Sequence, residues 1–226
     1  MNDDSMITVL DNGYVRYVDH LGSDLRVCEV ARLSFDKWDP SFEEYVQSRK
    51  PEKLIKYLAE HNHWTPFGHP QITVEIKLPI FVARQWMKST TGIVYNEVSR
   101  RYVDDEPEFY YPEYWRGRPD GSIKQGSGQP IDDQDEVSRD YFFSVLKSVG
   151  CYNLLLSKGV APEMARMVLP QSMYTKIAMT ASLAACCRVI NLRNKPDAQL
   201  EIQQYAEALR KIVVRWFPLS TRYLLK

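Results

Sequence analysis

A nine-residue alternation in the first half of the chain constrains the fold more than any other feature of the sequence. The apolar members are Ile72, Val74, Ile76, Leu78 and Ile80, and the residues between them are Thr73, Glu75, Lys77 and Pro79. Successive side chains of a strand point to opposite faces, so a period of two predicts a strand over 72–80 with one buried face. The run from Phe81 to Lys88 predicts a helix that begins where this strand ends.

Helical spacing dominates the remaining apolar residues. Residues 51–62 predict a short amphipathic helix that has proline in its first turn. Residues 132–158 predict the longest helix, because apolar side chains recur at steps of three or four and Gly159 can end it. Residues 161–169 and 202–213 predict two more helices, so the C-terminal third is expected to be mainly helical.

Composition limits the class of protein. The chain has 226 residues, 44% of them apolar, and equal numbers of acidic and basic residues, 29 of each. These values predict a globular protein with a sizeable core, and zero net charge disfavours a broad attraction to nucleic acid or to an anionic membrane. Together with the strand and helix patterns they favour one α+β domain over residues 1–226. The first ten residues begin with Asp3 and Asp4 and lack a basic region followed by a long apolar stretch. Neither a secretory signal nor a membrane anchor is therefore expected, and the cytoplasm is the default location.

Cysteines and histidines give no pattern typical of a metal site. Cys28, Cys151, Cys186 and Cys187 lack metal-ligand spacing and are expected to be buried thiols. Three of the four histidines lie in 61–69, but the segment has no HExxH pattern and no nearby cysteine, so no metal is predicted. It is interpreted as a rigid turn whose aromatic rings are available to a planar ligand. The glycine-rich segment 116–130 is expected to be an exposed loop without chemistry.

The segment from Phe81 to Tyr102 holds most of the candidate binding residues. The cations Arg84, Lys88, Arg100 and Arg101 are interleaved with Gln85, Glu97 and Ser99. Such a mixture supplies the charge and the directed hydrogen bonds that a phosphorylated polar ligand requires, although it is not a P-loop. The alternative is a polar hairpin whose charges pair with Glu97, Asp104 and Asp105.

Three further arginines stand outside this segment, namely Arg166, Arg188 and Arg193. Each is either half of a structural ion pair or a ligand contact. No Ser-His-Asp order and no activated cysteine is evident, so covalent catalysis by a side chain is not indicated and the chemistry is left to a cofactor.

Seven motifs follow one another along nearly the whole chain, in the order GYVRYVDHLGSDLRVCEVARLSFD, HNHWTPFGHP, PIFVARQW, YNEVSRRY, MARMVLPQSMYT, NLR and AQLEIQQYA. With this ordered set the chain resembles the flavin-dependent thymidylate synthases, which methylate dUMP with a folate-borne carbon and FAD. The resemblance implies an α+β fold with a central, mostly antiparallel sheet and flanking helices. It also implies a homotetramer whose active sites are each built from several subunits.

The resemblance assigns roles to residues by position. The implied dUMP-binding residues are Gln85, Trp86, Met87, Lys88, Glu97, Val98, Ser99, Arg100, Arg101, Arg166 (from another subunit) and Arg193. Arg193 is also the implied catalytic residue, because it corresponds to an arginine that contacts the pyrimidine near N3. The implied FAD-binding residues are His63, Thr65, Lys88, Ser89, Thr90, Thr91, Glu97, Ser182 and Arg188. NADPH and 5,10-methylenetetrahydrofolate are the implied co-substrates.

The chain departs from the family pattern in two places on the flavin side. The family signature begins Arg-His-Arg, whereas this chain has Lys88-Ser89-Thr90 and one extra residue before Tyr95. Asp197 stands where members often have histidine, and an ionised carboxylate cannot donate a hydrogen bond. The alternatives are therefore the same fold acting on UMP or dCMP or giving a hydroxymethyl product, or a nucleotide-binding protein without catalysis.

Overall fold

A computed structural model describes residues 5–36, 51–101, 106–119, 121 and 126–226. The described strands form one five-stranded antiparallel sheet in the order β1-β2-β3-β5-β4. They are β1 (Met6–Val9), β2 (Gly13–Leu21), β3 (Gln71–Pro79), β4 (Ile93–Glu97) and β5 (Tyr174–Ser182). The α+β class and the antiparallel sheet are thereby confirmed.

The α-helices of the described residues flank this sheet. They are α1 (Asp24–Leu33), α2 (Pro51–Glu60), α3 (Ile80–Trp86), α4 (Gln134–Ser157), α5 (Pro162–Ala165), α6 (Leu183–Arg193), α7 (Leu200–Trp216) and α8 (Pro218–Leu224). Two short 3-10 turns, Thr65–Gly68 and Arg166–Val168, precede β3 and follow α5. None of the helices in the described part of the chain is long and apolar enough to cross a membrane.

The predicted strand over 72–80 is confirmed as β3, with small changes at its ends. Its inward residues Ile72, Val74, Ile76 and Leu78 are fully buried. The strand stops at Pro79, and Ile80 already belongs to α3, because a proline nitrogen cannot donate to the strand ladder. α3 ends at Trp86 rather than at Lys88. The hydroxyl of Tyr95 donates to the carbonyl oxygen of Ser89 at 2.9 Å and lies 3.4 Å from the carbonyl oxygen of Trp86.

The core lies between the inner face of the sheet and helices α6 and α7. Ile177, Met179 and Ala181 of β5 are buried beside the apolar residues of β3. The apolar stripe predicted over 202–213 is confirmed, since Ile202, Tyr205, Ala206, Leu209, Ile212 and Val213 of α7 are all buried. The predicted helix over 161–169 is shorter than expected. α5 makes one turn and the chain then tightens into the 3-10 turn, because Leu169 precedes Pro170 and is extended.

The long helix α4 packs along one side only. Val145 and Tyr152 are buried, whereas Phe142, Phe143, Leu146 and Leu154 are exposed. Cys151 lies on the exposed part of this helix, so the prediction of a buried thiol is wrong there. The same prediction is confirmed for Cys28, Cys186 and Cys187.

The segment 116–130, expected to be an exposed loop, is anchored at its ends. Arg116 and Pro130 form an isolated antiparallel bridge, and residues 120 and 122–125 lie outside the described residues. Arg116 Nη2 lies 2.6 Å from Glu201 Oε1 at the start of α7, and the two side chains are 17% and 4% exposed. The expectation of an exposed loop is therefore wrong at Arg116. Its side chain is largely buried, and Glu201 provides the opposite charge that a buried guanidinium needs.

Candidate active site

Residues Glu97–Arg101, termed the 97–101 segment, leave the end of β4 along the neighbouring strand β5. Thr175 Oγ1 donates to Glu97 Oε1 at 2.9 Å, and the backbone nitrogen of Val98 donates to the carbonyl oxygen of Lys176 at 2.9 Å. The backbone nitrogen of Arg101 donates to Ser99 Oγ at 3.3 Å. The segment is therefore held by the sheet, with its polar side chains at the sheet edge.

A cleft of about 620 Å³ opens beside this segment and is lined by Glu97, Val98, Ser99 and Arg100. Arg166, from the 3-10 turn after α5, lines the same cleft. The other charged residues of its wall are Lys77, Lys176, Glu106 and Glu108. The structure thus brings Arg166 of the same chain to the 97–101 segment, and its expected contribution to another subunit's site stays a prediction.

Glu163 of α5 connects the two sides of the cleft. Its carboxylate Oε2 lies 3.3 Å from Arg101 Nε, and its backbone oxygen accepts a hydrogen bond from Arg166 Nε at 3.3 Å. No sequence signal indicated this residue, because an acidic side chain in a first helical turn is common for reasons of the helix dipole alone.

Gln85 and Arg193 form a second group, where the end of α6 meets α3. Arg193 Nη2 donates to the backbone oxygen of Gln85 at 2.6 Å, and Gln85 Nε2 donates to Gln199 Oε1 at 2.6 Å. The Nε of Arg193 is buried and has no hydrogen-bond partner among the residues that the structure describes. Gln199 belongs to the AQLEIQQYA motif, but sequence reasoning assigned it no role.

Trp86 and Met87, the neighbours of Gln85, serve the core. Trp86 is fully buried, and its indole Nε1 points to Met179 Sδ at 3.3 Å. Met87 is partly buried and packs against the same cluster. Their side chains therefore pack the end of α3 against the hydrophobic core.

Residues 88–92, termed the 88–92 turn, form a third group at the opposite end of β4. The backbone nitrogen of Ser182 donates to the carbonyl oxygen of Gly92 at 3.0 Å, and Arg188 Nη2 donates to the carbonyl oxygen of Thr91. Ser182 also caps α6, because its Oγ accepts from the nitrogen of Ala185 at 3.3 Å. The predicted residues Lys88, Ser89, Thr90 and Thr91 are thus gathered over the N-terminus of α6 with Ser182 and Arg188.

Gly92 makes this close approach possible. Its φ is +73°, in the left-handed region, and a Cβ added there would lie 3.0 Å from Ser182 Oγ. Tyr95 of β4 also faces inward, and its hydroxyl donates to the carbonyl oxygen of Ser89. Burial is the main reason that the pKa of Tyr95 is raised to about 12. The phenol therefore stays a hydrogen-bond donor at neutral pH.

Thr65 and His63 precede β3 and are both exposed. Thr65 opens the 3-10 turn, and soon after it the carbonyl oxygen of Pro70 accepts from the nitrogen of Leu183 at 2.9 Å. The ring of His63 lies 6.0 Å from that of Tyr57. These contacts bring the 3-10 turn to the start of α6, next to the 88–92 turn.

The predicted site residues therefore lie in three groups on one chain. β4 rises by about 3.4 Å per residue, so its ends, which carry the 88–92 turn and the 97–101 segment, are about 14 Å apart. Residues 81–101 do not form the polar hairpin of the alternative interpretation, because their strand β4 pairs with β5. Of the charges in the alternative interpretation, Asp104 and Asp105 lie outside the described residues.

Cysteine nucleophiles and metal ligands find no support in the described residues. Burial raises the pKa of Cys28 to about 11 and that of Cys186 to about 12, and it also raises the pKa of Cys187. These thiols stay neutral at physiological pH. The described part of the chain contains no cluster of three or more His, Cys, Asp or Glu residues that could hold a metal ion.

Comparison with known proteins decides the family. The model of a family described as thymidylate synthase complementing protein matches residues 16–219. The flavin-dependent thymidylate synthase of Thermus thermophilus is 38% identical over 219 residues, which are 95% of this chain and 76% of that protein. The enzyme of the same name from Thermosipho melanesiensis is 38% identical, with 96% of this chain and 93% of the relative covered.

The chain belongs to the flavin-dependent thymidylate synthase family. The resemblance inferred from the ordered motifs is thereby confirmed, and so is the prediction that the protein is an enzyme of this methyltransferase family. Solved structures agree with the flavin-dependent thymidylate synthase assignment. The UMP/dUMP methylase PolB from Streptomyces cacaoi, bound with 5-Br dUMP, has a TM-score of 0.81 and 30% identity, and 96% of each chain is covered. The same methylase bound with 5-Br UMP has a TM-score of 0.80 and 27% identity.

Proposed function

We propose that this protein converts dUMP to dTMP by reductive methylation, with FAD as cofactor and with 5,10-methylenetetrahydrofolate and NADPH as co-substrates. The observation that carries the proposal is the convergence of Ser99, Arg100 and Arg166 on one cleft of the described structure. A nucleotide phosphate carries up to two negative charges and several acceptor oxygens, and arginines and hydroxyls are the side chains that bind it best. The proposed phosphate site is therefore this cleft.

The pyrimidine is assigned to Gln85 and Arg193. A guanidinium is always charged, and here it is fixed by the bond from Nη2 to the carbonyl of Gln85. Placed near N3 and its flanking carbonyls, it would stabilise the negative charge that develops on the ring as C5 becomes nucleophilic. A buried N–H without a partner costs about 1–3 kcal/mol, which a uracil carbonyl accepting from Nε of Arg193 would offset.

The FAD assignment is tested by the donor set around the 88–92 turn. Lys88 is exposed, the hydroxyls of Thr90 and Thr91 are exposed, and the N-terminus of the eleven-residue helix α6 lies beside them. Exposed donors at the positive end of a helix fit the anionic part of a dinucleotide. Residues Thr65, Ser89, Ser182, Arg188 and His63 complete the proposed contacts. Bound flavin would supply the reducing equivalents for the methyl transfer.

A protein nucleophile is not part of the proposal. The thiols of Cys28, Cys186 and Cys187 are buried and neutral, and Cys151 lies on α4 outside the three groups. Activation of C5 therefore falls to the charge of Arg193, and the remaining residues bind and orient.

A homotetramer with shared sites is proposed for two reasons. The 88–92 turn and the 97–101 segment lie about 14 Å apart on one chain, so a second chain that places its groups across this gap would complete a site. The exposed apolar residues of α4, Phe142, Phe143, Leu146 and Leu154, would be covered by such a partner. The chain itself is proposed to be a single domain over 1–226, and the cytoplasmic location stays a prediction.

UMP is the second candidate substrate. The observation that favours it is the likeness to a methylase described as acting on UMP and dUMP, at a TM-score of 0.81. The ribose 2′-hydroxyl is the difference between the two nucleotides, so a competition experiment separates them.

The test combines a spectrum and an exchange assay. Purified protein is expected to show flavin absorption. It is also expected to release tritium from dUMP labelled at C5 when 5,10-methylenetetrahydrofolate and NADPH are added. UMP and dCMP labelled at C5 serve as alternative substrates, and mass spectrometry of the product distinguishes methyl from hydroxymethyl. A colourless protein that binds dUMP without exchange would replace the proposal by a non-catalytic nucleotide-binding function.

A further inference from the structure

The side chain of Gln199 contacts Gln85, a residue of the proposed pyrimidine site, and does not cap its own helix. We propose that Gln199 is a positioning residue that makes this site select uracil over cytosine by fixing the side-chain amide of Gln85. The inference rests on the proposed function, in which Gln85 and Arg193 meet the pyrimidine.

The position of Gln199 is unusual for a residue that precedes a helix. Its backbone is extended, with φ −61° and ψ 136°, and its side chain makes no capping bond to α7. Oε1 of Gln199 instead accepts from Nε2 of Gln85 on α3 at 2.6 Å. The short distance and the partly buried surroundings make this contact the main restraint on the end of the Gln85 side chain.

A second contact determines which way the Gln85 amide faces. Nε2 of Gln85 also lies 3.5 Å from the backbone oxygen of Phe81. A backbone oxygen can only accept, so rotation of the amide by half a turn would set Oε1 against it. Nε2 is therefore occupied by two acceptors, and Oε1 is the atom of this amide with no partner among the described residues.

Arg193 supplies the complementary donors. Its Nη2 is bound to the backbone oxygen of Gln85 at 2.6 Å, so the guanidinium and the amide come from contacting residues. Uracil offers an N3–H donor between two carbonyl acceptors, whereas N3 of cytosine is itself an acceptor. An Oε1 acceptor beside guanidinium donors matches uracil, and against cytosine it would set acceptor against acceptor.

The start of α7 is held in place independently of the ligand. Glu201 forms the nearly buried ion pair with Arg116, and Gln203 Nε2 donates to the carbonyl oxygen of Ala198 at 2.6 Å. Gln199 lies between these two anchors. Its own acceptor is therefore presented to Gln85 from a fixed backbone.

The experiment measures dUMP and dCMP dissociation constants by calorimetry for the full-length flavoprotein and its variants. Gln199→Met removes the acceptor that lies 2.6 Å from Gln85 Nε2 at similar size and leaves only the 3.5 Å contact to Phe81. The Gln85 amide is then no longer held in place, and the preference for dUMP over dCMP is expected to fall about tenfold. Gln199→Glu keeps an acceptor and is expected to retain the preference within about threefold. Gln204→Met, at an exposed position near the start of α7, is the matched control and is expected to leave the preference unchanged.

The outcomes separate this inference from the proposed function. A wild-type protein that neither binds dUMP nor releases tritium from it would remove the proposed function itself. A wild type that is active on dUMP but binds dCMP equally well, or a folded Gln199→Met variant with the wild-type preference, would overturn the role of Gln199 alone. Should Gln199→Met lose its cooperative unfolding, Gln199→Ser, which is too short to reach Gln85, provides the same measurement.

Discussion

At the scale of single residues, buried or half-buried carboxylates connect parts of the chain that are far apart in sequence. Asp24, in the first turn of α1, is 7% exposed, and its two oxygens accept from the backbone nitrogens of Leu219 and Ser220 at 2.8 Å each. Those nitrogens belong to the first turn of α8, where the helix leaves them without internal partners. Asp24 thus caps a helix at the opposite end of the chain.

Replacement of Asp24 by alanine is expected to lower the free energy of unfolding by about 1–3 kcal/mol, because two buried N–H groups lose their acceptor. Urea denaturation followed by circular dichroism measures the change. Asp24→Asn keeps one acceptor oxygen, so its free energy of unfolding should fall between those of the wild type and Asp24→Ala. Asp19→Ala, at an exposed position of β2, is the control, and an equal loss there would contradict the capping role.

Glu75 on β3 gives the stability a dependence on pH. Burial alone would raise the pKa of Glu75, but the hydrogen bonds from Tyr14 and Arg16 outweigh it and lower the pKa below its ordinary value. A carboxylate with a lowered pKa in the folded state stabilises that state above the unfolded pKa of about 4.3, and this contribution is lost as pH falls through the folded pKa.

The difference in unfolding free energy between wild type and Glu75→Gln is therefore expected to be constant above about pH 5 and to shrink in acid. Denaturation at a series of pH values measures it. Glu60→Gln, on an exposed part of α2, should differ from wild type by no more than about 0.5 kcal/mol throughout. A Glu75→Gln difference that grows in acid would have the wrong sign for this explanation.

At the scale of elements, β4 and the 88–92 turn carry the residues of the proposed FAD site. Gly92 is left-handed and lies against Ser182 and Ala185. Gly92→Ala is expected to lower stability by about 1–3 kcal/mol, because an L side chain is strained at this φ and its Cβ meets Ser182. It should also lower flavin content by displacing the turn from α6.

Gly150 offers a matched comparison. It lies within α4, and a Cβ added there would meet nothing within 4 Å. Gly150→Ala should therefore raise stability by about 0.5–1 kcal/mol. Thermal unfolding and flavin absorbance of both variants provide the measurements, and equal effects of the two would rule out a special role for Gly92.

The sequence predicted those elements whose apolar residues recur with one clear period. β3 and α7 each bury one face, so alternation or helical spacing is visible in them. α6 was not predicted as a helix, because Leu183–Ile190 is buried almost all round and shows no polar face. β5 was not predicted, because the small residues Ala178 and Ala181 weaken its alternation of apolar and polar side chains. β2 was not predicted either, because residues Gly13–Leu21 include many polar side chains.

The candidate site was predictable where residue type alone indicates a ligand. Ser99, Arg100 and Arg166 share a cleft, as a phosphate site requires. Gln199 and Glu163 could not be found in this way, because their roles depend on contacts with Gln85 and Arg101 that only the tertiary fold creates. The burial of Trp86 was equally invisible, since aromatic residues occur in cores and binding sites alike.

At the scale of the whole molecule, the exposed side of α4 should determine assembly. Leu146→Lys places a charge among Phe142, Phe143 and Leu154 and is expected to convert the proposed tetramer to a smaller species with loss of activity. Light scattering after size exclusion measures the mass, and circular dichroism should remain that of the wild type. Ser144→Lys, an exposed polar position on the same helix, is the control. A Leu146→Lys protein with wild-type mass would show that this face is not an interface.

The pairing of β4 with β5 limits how this chain can change in length. Tyr95 lies opposite Met179 and Glu97 opposite Ile177, so one residue gained or lost inside the strand would turn every following side chain to the other face. The hydroxyl of Tyr95 would then leave Ser89, and Glu97 would leave Thr175. Insertions and deletions inside Ile93–Glu97 are therefore not tolerated. Length changes among relatives should accumulate in the 88–92 turn that precedes the strand.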